Sequence, residues 1–356
     1  MTKAQPPSNA SWDKEKIRSL LQSSSISDRL DALDFLEKHL GVDTQELLLM
    51  VCQSDPELEL RQRALVILTQ MPTKYVAKKI LKIALNKKES QIIRLRAIWA
   101  LGYFTFDFVF KELRKFLQHD NPEYPFYTIL SLIKFPNSKP VLPDFRRILS
   151  SHTNQEIRQI MAWAFNFIEI NPTSIEILLQ ALHNDSDWVV RLTAAWTLGY
   201  KGTIDSVQSL CQALKQEQHS LTQRQIVLSV GRILRKHFQN SNEQTDYSEQ
   251  IHDLTTKTLL DLAHESNTYY IRRIIIEVIR RYSNKNIENK IIDLLKDESD
   301  KFVRVELIKT LGKMGTKKAY PILKKSRRSN YHIVAKAAKQ ALSTIKYRLH
   351  HVNNKF

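Results

Sequence analysis

Glycine and cysteine are scarce in this chain of 356 residues, which has seven glycines and two cysteines. So few glycines suit an all-helical chain with few tight turns, and they leave little room for a glycine-rich loop that cradles phosphate groups. The cysteines, Cys52 and Cys211, stand alone, without a CxxC pair or a zinc-type spacing. We therefore expect two reduced, buried thiols in a cytoplasmic protein.

Long apolar runs and catalytic motifs are also missing. No run of 18 apolar residues occurs, and the first twelve residues, MTKAQPPSNASW, lack the apolar segment of a secretory signal. We expect neither a membrane span nor secretion by a cleaved signal. The motifs GxGxxG, HExxH and GxSxG do not occur, and the eleven histidines are scattered. The sequence therefore predicts no catalytic residue, no metal site and no cofactor.

A short helical pattern recurs along the chain and is clearest in DSDWVVRLTAAWTLG at 185–199. Val190, Ala194 and Leu198 are four residues apart and share one face of a helix that starts after Asp187 and closes at Gly199. A helix this short cannot bury its apolar face alone. The pattern therefore predicts a neighbouring helix of the same kind.

Taking Arg191 as the reference position, equivalent positions lie 31–33 residues apart, with one longer step of 48. These positions are Arg29, Arg61, Arg94, Pro125, Arg158, Arg191, Arg224, Arg272, Arg304 and Ala335. A period in the low thirties built from two helical runs indicates a solenoid. The sequence predicts an all-α fold, an α-solenoid of about ten helical hairpins, in which the second helix begins near the reference position.

The predicted organisation is a disordered tail over 1–11, a single solenoid over 12–349 and a second tail over 350–356. The longer step contains a polar insertion at 239–250, QNSNEQTDYSEQ, which predicts a surface loop. In repeat four Pro125 occupies the reference position, so we expect the second helix of that repeat to start late or to bend.

The segment from Asp187 through AAWTLG resembles a HEAT repeat, in particular the bacterial phycobilisome-lyase HEAT-like type. AIWALG at 97–102 and the TLG that ends at Gly312 match it nearly as well, and the resemblance covers almost the whole chain. This repeat class includes scaffolds, adaptors and enzyme subunits, so the resemblance implies a fold and leaves function open. HEAT-like iron hydroxylases carry several His-Glu pairs, whereas His264 with Glu265 is the one such pair here and cannot form a di-iron site.

The resemblance implies that the second helices line the concave side of the solenoid. Positions 1, 5 and 8 or 9 after the reference position form one stripe of each second helix, which changes from aromatic to basic along the chain. The candidate binding residues are Trp99, Trp163, Trp196, Arg232, Arg273, Arg280, Lys309, Lys313 and Lys336. Alternatively, the tryptophans pack between repeats. The arginines expected to form a ladder of hydrogen bonds between repeats are Arg94, Arg158, Arg191, Arg272 and Arg304.

The formal charge of +17 is concentrated near the end of the chain, because residues 301–356 hold fifteen lysines and arginines against one acid, Glu306. A field of one sign attracts phosphates, anionic lipid headgroups or an acidic protein. The predicted patch for an anionic partner consists of Lys317, Lys318, Lys324, Lys325, Arg327, Arg328, Lys339, Lys346 and Arg348.

Together these patterns predict a non-catalytic scaffold or adaptor that binds a protein partner on its concave face, while the basic repeats contact an anionic partner. Two alternatives remain. One is a DNA- or RNA-binding protein, or an accessory subunit of a nucleic-acid-handling complex. The other, implied by the resemblance alone, is an enzyme subunit, either of the bilin lyase type or of the DNA glycosylases that also use a HEAT-like solenoid.

Overall fold

The computed structural model describes residues 13–136, 139–169, 171–240, 246–266, 268–282 and 287–353. Every regular element within these ranges is helical. The chain divides into two compact units, and the single solenoid over 12–349 stays a prediction. Unit 1 comprises 1–145 with 167–169, and unit 2 comprises 146–166 with 170–356. The predicted N-terminal tail lies outside the described residues.

Unit 1 is built from consecutive helical hairpins. Its helices are α1 (Lys14–Leu21), α2 (Ile26–Lys38), α3 (Val42–Ser54), α4 (Leu58–Leu68), α5 (Lys74–Leu85), α6 (Gln91–Leu101), α7 (Asp107–Lys115), α8 (Glu123–Leu132) and the first four residues of α9 (Leu142–Ser151). Pro125 lies in the first turn of α8, which tolerates proline because its N–H would have no helical partner there. α8 begins two residues before Pro125, whereas α12 begins three residues before Arg191, so the late start expected for this helix amounts to one residue.

Unit 2 continues the same pattern with longer helices. Its helices after α9 are α10 (Gln155–Ala164), α11 (Pro172–Asn184), α12 (Trp188–Lys201), α13 (Ser206–Gln216), α14 (Ser220–Asn240), α15 (Asp246–Glu265), α16 (Tyr269–Tyr282), α17 (Glu288–Asp297), α18 (Lys301–Met314), α19 (Tyr320–Ser326) and α20 (His332–Asn353). With those of unit 1 they form the ten predicted hairpins, in which odd-numbered helices are the first and even-numbered helices the second of each repeat.

The helices of each unit form two layers, because second helices pack on second helices and first helices on first helices. In unit 2, for example, α12, α14, α16, α18 and α20 pack against one another in succession. Buried aliphatic side chains such as Val190, Ala194 and Leu198 fill the space between the layers. The fold is therefore an α-solenoid, as the sequence predicted.

Close packing between second helices explains the glycine at position 199, which was predicted from the sequence to end its helix. α12 continues past Gly199 to Lys201, and a Cβ at Gly199 would lie 2.6 Å from the Ser229 Oγ. That hydroxyl donates a hydrogen bond of 2.7 Å to the carbonyl oxygen of Ala195 in the preceding repeat. Gly199 therefore allows two helices to approach closely, and the expectation that it closes the helix was wrong.

Two predicted irregular segments are helical where the structure describes them. α14 extends to Asn240 and α15 begins at Asp246, so helices occupy both ends of the insertion predicted as a loop. The residues between them, 241–245, lie outside the described part of the chain. At the C-terminus α20 runs to Asn353, where a tail from residue 350 was predicted. The insertion contains the good helix formers Gln and Glu, and both segments adjoin a long helix that already supplies hydrogen-bond partners for their backbone.

Candidate functional site

The arginine at the reference position connects neighbouring repeats. Arg158 Nε lies 2.8 Å from Asp185 Oδ2, Arg191 Nε lies 2.7 Å from Glu217 Oε2, and Arg272 Nε lies 2.8 Å from Glu298 Oε2. Each pair joins the start of one second helix to the turn before the next. In unit 1 the same pairing joins Arg29 to Asp55, at 3.0 Å, and Arg61 to Glu89.

The carboxylate in each pair also organises its own turn. Glu217 Oε1 accepts a hydrogen bond of 2.8 Å from the backbone N–H of His219, while Arg191 donates to the carbonyl oxygens of Asp185 and Ser186 at the end of α11. Burial favours a raised pKa for Glu217, but the hydrogen bonds from Arg191 and from the backbone outweigh it, so the pKa is lowered. The side chains are therefore part of the scaffold, and we call such a place a closed junction.

Two repeats in unit 2 have serine in place of the carboxylate. Ser266 and Ser329 stand six residues before the reference positions of repeats eight and ten, and each serine Oγ accepts a hydrogen bond of 3.3 Å from the N–H two residues later. The preceding arginines, Arg224 and Arg304, make no ion pair within the described ranges, and Arg304 Nε is buried without a hydrogen-bond partner there. We call these two places open junctions. The ladder predicted for Arg304 is thus absent.

The predicted ladder is also absent at Arg94 in unit 1, where repeat four has His119 in place of the acid. The Arg94 guanidinium lies over the ring of Tyr124, 4.9 Å from its centre, and Arg94 Nε donates to the carbonyl oxygen of Ala84. The ring of His119 stacks on Tyr124, with ring centres 3.9 Å apart. A stacked arginine therefore replaces the ion pair at this junction.

The second-helix face, which we define as the surface that carries positions 1, 5 and 8 or 9 after the reference position, has an aromatic and cationic cluster in unit 1. The half-buried Trp99 meets Tyr103 edge to face, with ring centres 5.1 Å apart. Lys134 Nζ, from the next repeat, lies 3.6 Å from the Tyr103 ring centre and 4.6 Å from that of Trp99. Burial lowers the pKa of Lys134 to about 8.

The same arrangement recurs in unit 2. Trp196 is half-buried and meets Tyr200 edge to face at 4.8 Å, and the Arg232 guanidinium lies 3.9 Å from the Tyr200 ring centre. Trp163 also lies half-buried on α10. The predicted tryptophans therefore contact their neighbours and keep part of each ring accessible. The tyrosine four residues after tryptophan, in WALGY and WTLGY, and the cation of the following repeat were not selected from the sequence.

Several predicted basic residues of unit 2 are engaged within the chain. Lys309 Nζ lies 2.7 Å from Glu306 Oε1, and Arg280 Nε lies 3.4 Å from Glu306 Oε2. Lys313 Nζ donates hydrogen bonds to the carbonyl oxygens of Arg280 and Arg281, and desolvation by burial, followed by the charge of Arg280, lowers the pKa of Lys313. These three cations were predicted to contact a partner directly, but the structure gives them contacts within the solenoid. Their direct contact with a partner stays a prediction.

Arg273 and Lys336 remain exposed on the second-helix face. Arg273 borders a cavity between α14 and α16 that is also lined by Arg224, Tyr270 and Arg281. Arg224 was regarded from the sequence as a repeat marker, and its missing acid partner was the overlooked signal. The cavity therefore groups one predicted binding residue with neighbours that were not selected.

Most of the predicted patch for an anionic partner is exposed, on the short 3₁₀ turn at Lys317–Ala319, on and after α19, and on α20. Its exposed members are Lys317, Lys318, Lys324, Lys325, Arg327, Arg328, Lys339 and Lys346. Arg348 differs, because its guanidinium donates to the carbonyl oxygens of Gly312, Lys313 and Gly315 at the end of α18. It therefore caps a helix, and the patch is smaller by one residue than predicted.

The two cysteines offer no exposed thiol. Both cysteines are buried free thiols, and burial raises the pKa of Cys211 to about 12 and that of Cys52 as well. Among the described residues no group of three or more His, Cys, Asp or Glu side chains is placed to hold a metal ion. Within the same residues no helix has the length and apolar character needed to cross a membrane.

Comparison with known proteins agrees with this architecture. A family model described as HEAT repeats matches residues 110–191, 175–245 and 256–343, which confirms the resemblance seen in the sequence. No curated protein matches the chain significantly.

Three solved structures illustrate the similarity. Kap95p, in a structure with RanGDP, is 12% identical with a TM-score of 0.60, and the match covers 93% of this chain and 49% of Kap95p. Kap121p bound to Ste12p is 12% identical with a TM-score of 0.56, covering 93% and 44% of the two chains. The complex of CpcE and CpcF of phycocyanin lyase from Nostoc sp. PCC7120 gives 16% identity and a TM-score of 0.38, covering 72% and 99%. The chain thus spans about half the length of the two karyopherins, and at these identities the likeness concerns the fold alone.

Proposed function

Because this chain belongs to the family of HEAT-repeat proteins, we propose that it is a non-catalytic scaffold that binds a protein partner on its second-helix face. Stacked helical hairpins offer extended surfaces for such binding. Kap95p and Kap121p, which share the fold, are seen with the proteins RanGDP and Ste12p. The raised pKa of both thiols supports this non-catalytic role, because a protonated, buried thiol is a poor nucleophile. Free thiols also support a location in the reducing cytoplasm.

The observation that carries the proposal is the recurring cluster of tryptophan, tyrosine and cation. Trp99 with Tyr103 in unit 1, and Trp196 with Tyr200 in unit 2, occupy equivalent positions, and the tyrosines are 42% and 46% exposed. Rings held by packing on one side lose little conformational freedom when the other side is covered. Tryptophan, tyrosine and arginine dominate the binding energy of protein interfaces. Each cluster is therefore suited to anchor a partner.

The exposed basic patch supports a second contact, with an anionic partner. In the described part of the chain, its eight exposed members make no ion pair with an acid. Such a patch speeds encounter with polyanions and suits an acidic protein surface or a DNA or RNA backbone. Nucleic acid remains the alternative partner, and the lack of ion pairs between the exposed patch and acids of the described residues is the observation that favours it.

The scaffold role is tested by substituting the anchor. A partner is first isolated with the native protein and identified, and its affinity for the purified chain is then measured by calorimetry. We expect Trp196→Ala to weaken binding about tenfold or more, as for the loss of a central aromatic residue. Trp188→Ala is the matched control, because Trp188 begins the same helix at none of the positions that define the second-helix face, and its ring stacks on His219. Equal affinities of both variants and the native chain would contradict the proposal.

The basic patch is tested by charge reversal. The variant with Lys324, Lys325, Arg327 and Arg328 changed to Glu is compared with one in which the exposed Lys74, Lys78, Lys87 and Lys88 are changed to Glu. We expect only the first variant to lose binding to a DNA oligonucleotide or to an acidic peptide, although both carry the same change in charge. Log-linear weakening with salt distinguishes nucleic acid from a partner anchored by aromatic residues. An equal loss in the two variants would show that net charge, and not this patch, is responsible.

A further inference from the structure

A cavity of about 470 Å³ lies between α14 and α16 on the second-helix face of unit 2. Its polar lining includes three arginines and one acid: Arg224, Arg273, Arg281 and Glu277. Arg281 Nη2 donates a hydrogen bond of 2.7 Å to Glu277 Oε1, so the charges of these two residues offset each other. Two positive charges, those of Arg224 and Arg273, remain.

Arg224 and Arg273 are available because neither is used by the scaffold. Both side chains are exposed, and neither makes an ion pair or a side-chain hydrogen bond with any residue that the structure describes. Arg224 belongs to an open junction, where Ser266 takes the place of the acid found at closed junctions. The sequence change that leaves the ladder incomplete therefore also supplies a guanidinium to the cavity.

Along α16 and α18 the other cations of this face are engaged within the chain, and the next exposed cation of the face that has no such contact in the described residues, Lys336, lies on α20. Arg280 of α16 and Lys309 of α18 both lie beside Glu306, and Lys313 donates to backbone carbonyl oxygens. A nucleic-acid backbone binds along a continuous row of cations. An isolated pair of guanidinium groups suits one compact, doubly charged group, because arginine binds phosphoryl oxygens with two parallel hydrogen bonds.

The rest of the cavity lining is apolar or aromatic. Leu228, Ile274 and Val278 supply aliphatic surface, and Tyr270 supplies a ring. The cavity volume lies within the range of about 300–1,000 Å³ common for small-ligand sites. We propose that this cavity binds a phosphoryl group carried on an aromatic ring, as in a phosphotyrosyl side chain of a partner protein. The inference deepens the proposed function and rests on it, since it identifies the chemistry of a protein partner.

The experiment uses the purified full chain and a dye-labelled peptide that has one phosphotyrosine among neutral residues. Its twins carry phosphoserine or unmodified tyrosine at the same place. We expect the phosphotyrosyl peptide to bind, the phosphoserine twin to bind about tenfold more weakly because it lacks the ring, and the unmodified twin not to bind. Arg273→Ala and Arg224→Ala should each weaken binding about 10- to 100-fold, which corresponds to a lost charge-assisted hydrogen bond. Arg273→Lys should recover part of the affinity, since it restores the charge without the planar fork.

Arg146→Ala is the matched control, because Arg146 is an exposed arginine on α9, outside both the cavity and the basic patch, and the affinity of this variant should equal that of the native chain. The proposal is overturned if the three peptides bind alike, if none binds, or if Arg273→Ala leaves the affinity unchanged. It is also overturned if a single-stranded oligonucleotide competes with the peptide and Arg327→Ala weakens binding as much as Arg273→Ala does. Cations inside and outside the cavity would then bind a polyanion together. The titration contains no native partner, so its failure is distinguishable from failure of the Trp196 experiment.

Discussion

The arginine at the reference position has different roles at the closed and the open junctions of unit 2. At the closed junction after repeat six, Arg191 contacts Glu217 and two backbone carbonyl oxygens, and it is part of the scaffold. At the open junctions, Arg224 and Arg304 have no acid to pair with in the described residues, because serine replaces it. One residue in the following turn therefore decides the role of the repeated arginine. An acid at that position fixes the arginine in an ion pair between repeats, whereas a serine leaves its guanidinium free to contact a ligand. Function in a repeat array can therefore be sought where its regular contacts are interrupted.

The largest expected effect is a difference in unfolding free energy between a variant of a closed junction and a variant of an open junction. We expect Arg191→Ala to lower the free energy of unfolding by about 3 kcal/mol, because it leaves the buried Glu217 carboxylate without its cation. Arg224→Ala should cost less than about 1 kcal/mol, as is usual for an exposed residue without a partner. Urea unfolding followed by circular dichroism measures both. Equal losses would show that the ion pair contributes nothing particular and that the distinction between junctions is wrong.

A smaller effect is expected when acid, and not mutation, opens a closed junction. The pKa of Glu217 is lowered in the folded chain, so its ionised form is stabilised by folding. The resulting stability is present above the unfolded pKa, near 4.5, and is lost as the pH falls through the folded value. Unfolding free energies measured between pH 7 and pH 3 should therefore decline less steeply for Glu217→Gln than for the native chain. Parallel declines would indicate that other carboxylates determine the acid sensitivity.

The architecture follows from the sequence because a repeat period reflects the geometry of stacked hairpins, and the reference positions mark the second helices correctly. The role of Gly199 does not follow, since one helix cannot reveal that Ser229 of the next repeat packs against it. The ends of α14 and α15 were missed because a polar composition is compatible with both a loop and a solvated helix.

The candidate site is less predictable, because it depends on register between repeats. Position within a helix placed Arg280 and Lys309 on the correct face, but only the stacked structure shows that both approach Glu306. Carbonyl oxygens at helix ends have no sequence signal, so the hydrogen bonds of Lys313 and Arg348 could not be foreseen. The serines of the open junctions are visible in the sequence, and they become informative once the role of the acid at this position is known.

The smallest expected effect is the conversion of an open junction into a closed one. Ser329→Asp places a carboxylate six residues before the reference position of repeat ten, where Asp55 and Asp185 stand in other repeats. We expect a gain of about 1 kcal/mol, because the new acid pairs with the buried Nε of Arg304 and still accepts the hydrogen bond from the N–H of Tyr331. Thermal unfolding of Ser329→Asp, Arg304→Ala and the double variant forms a cycle that isolates the pair. Because Asp at a helix start is favourable by itself, a gain that persists in the Arg304→Ala background would mean that the helix, and not the junction, is stabilised.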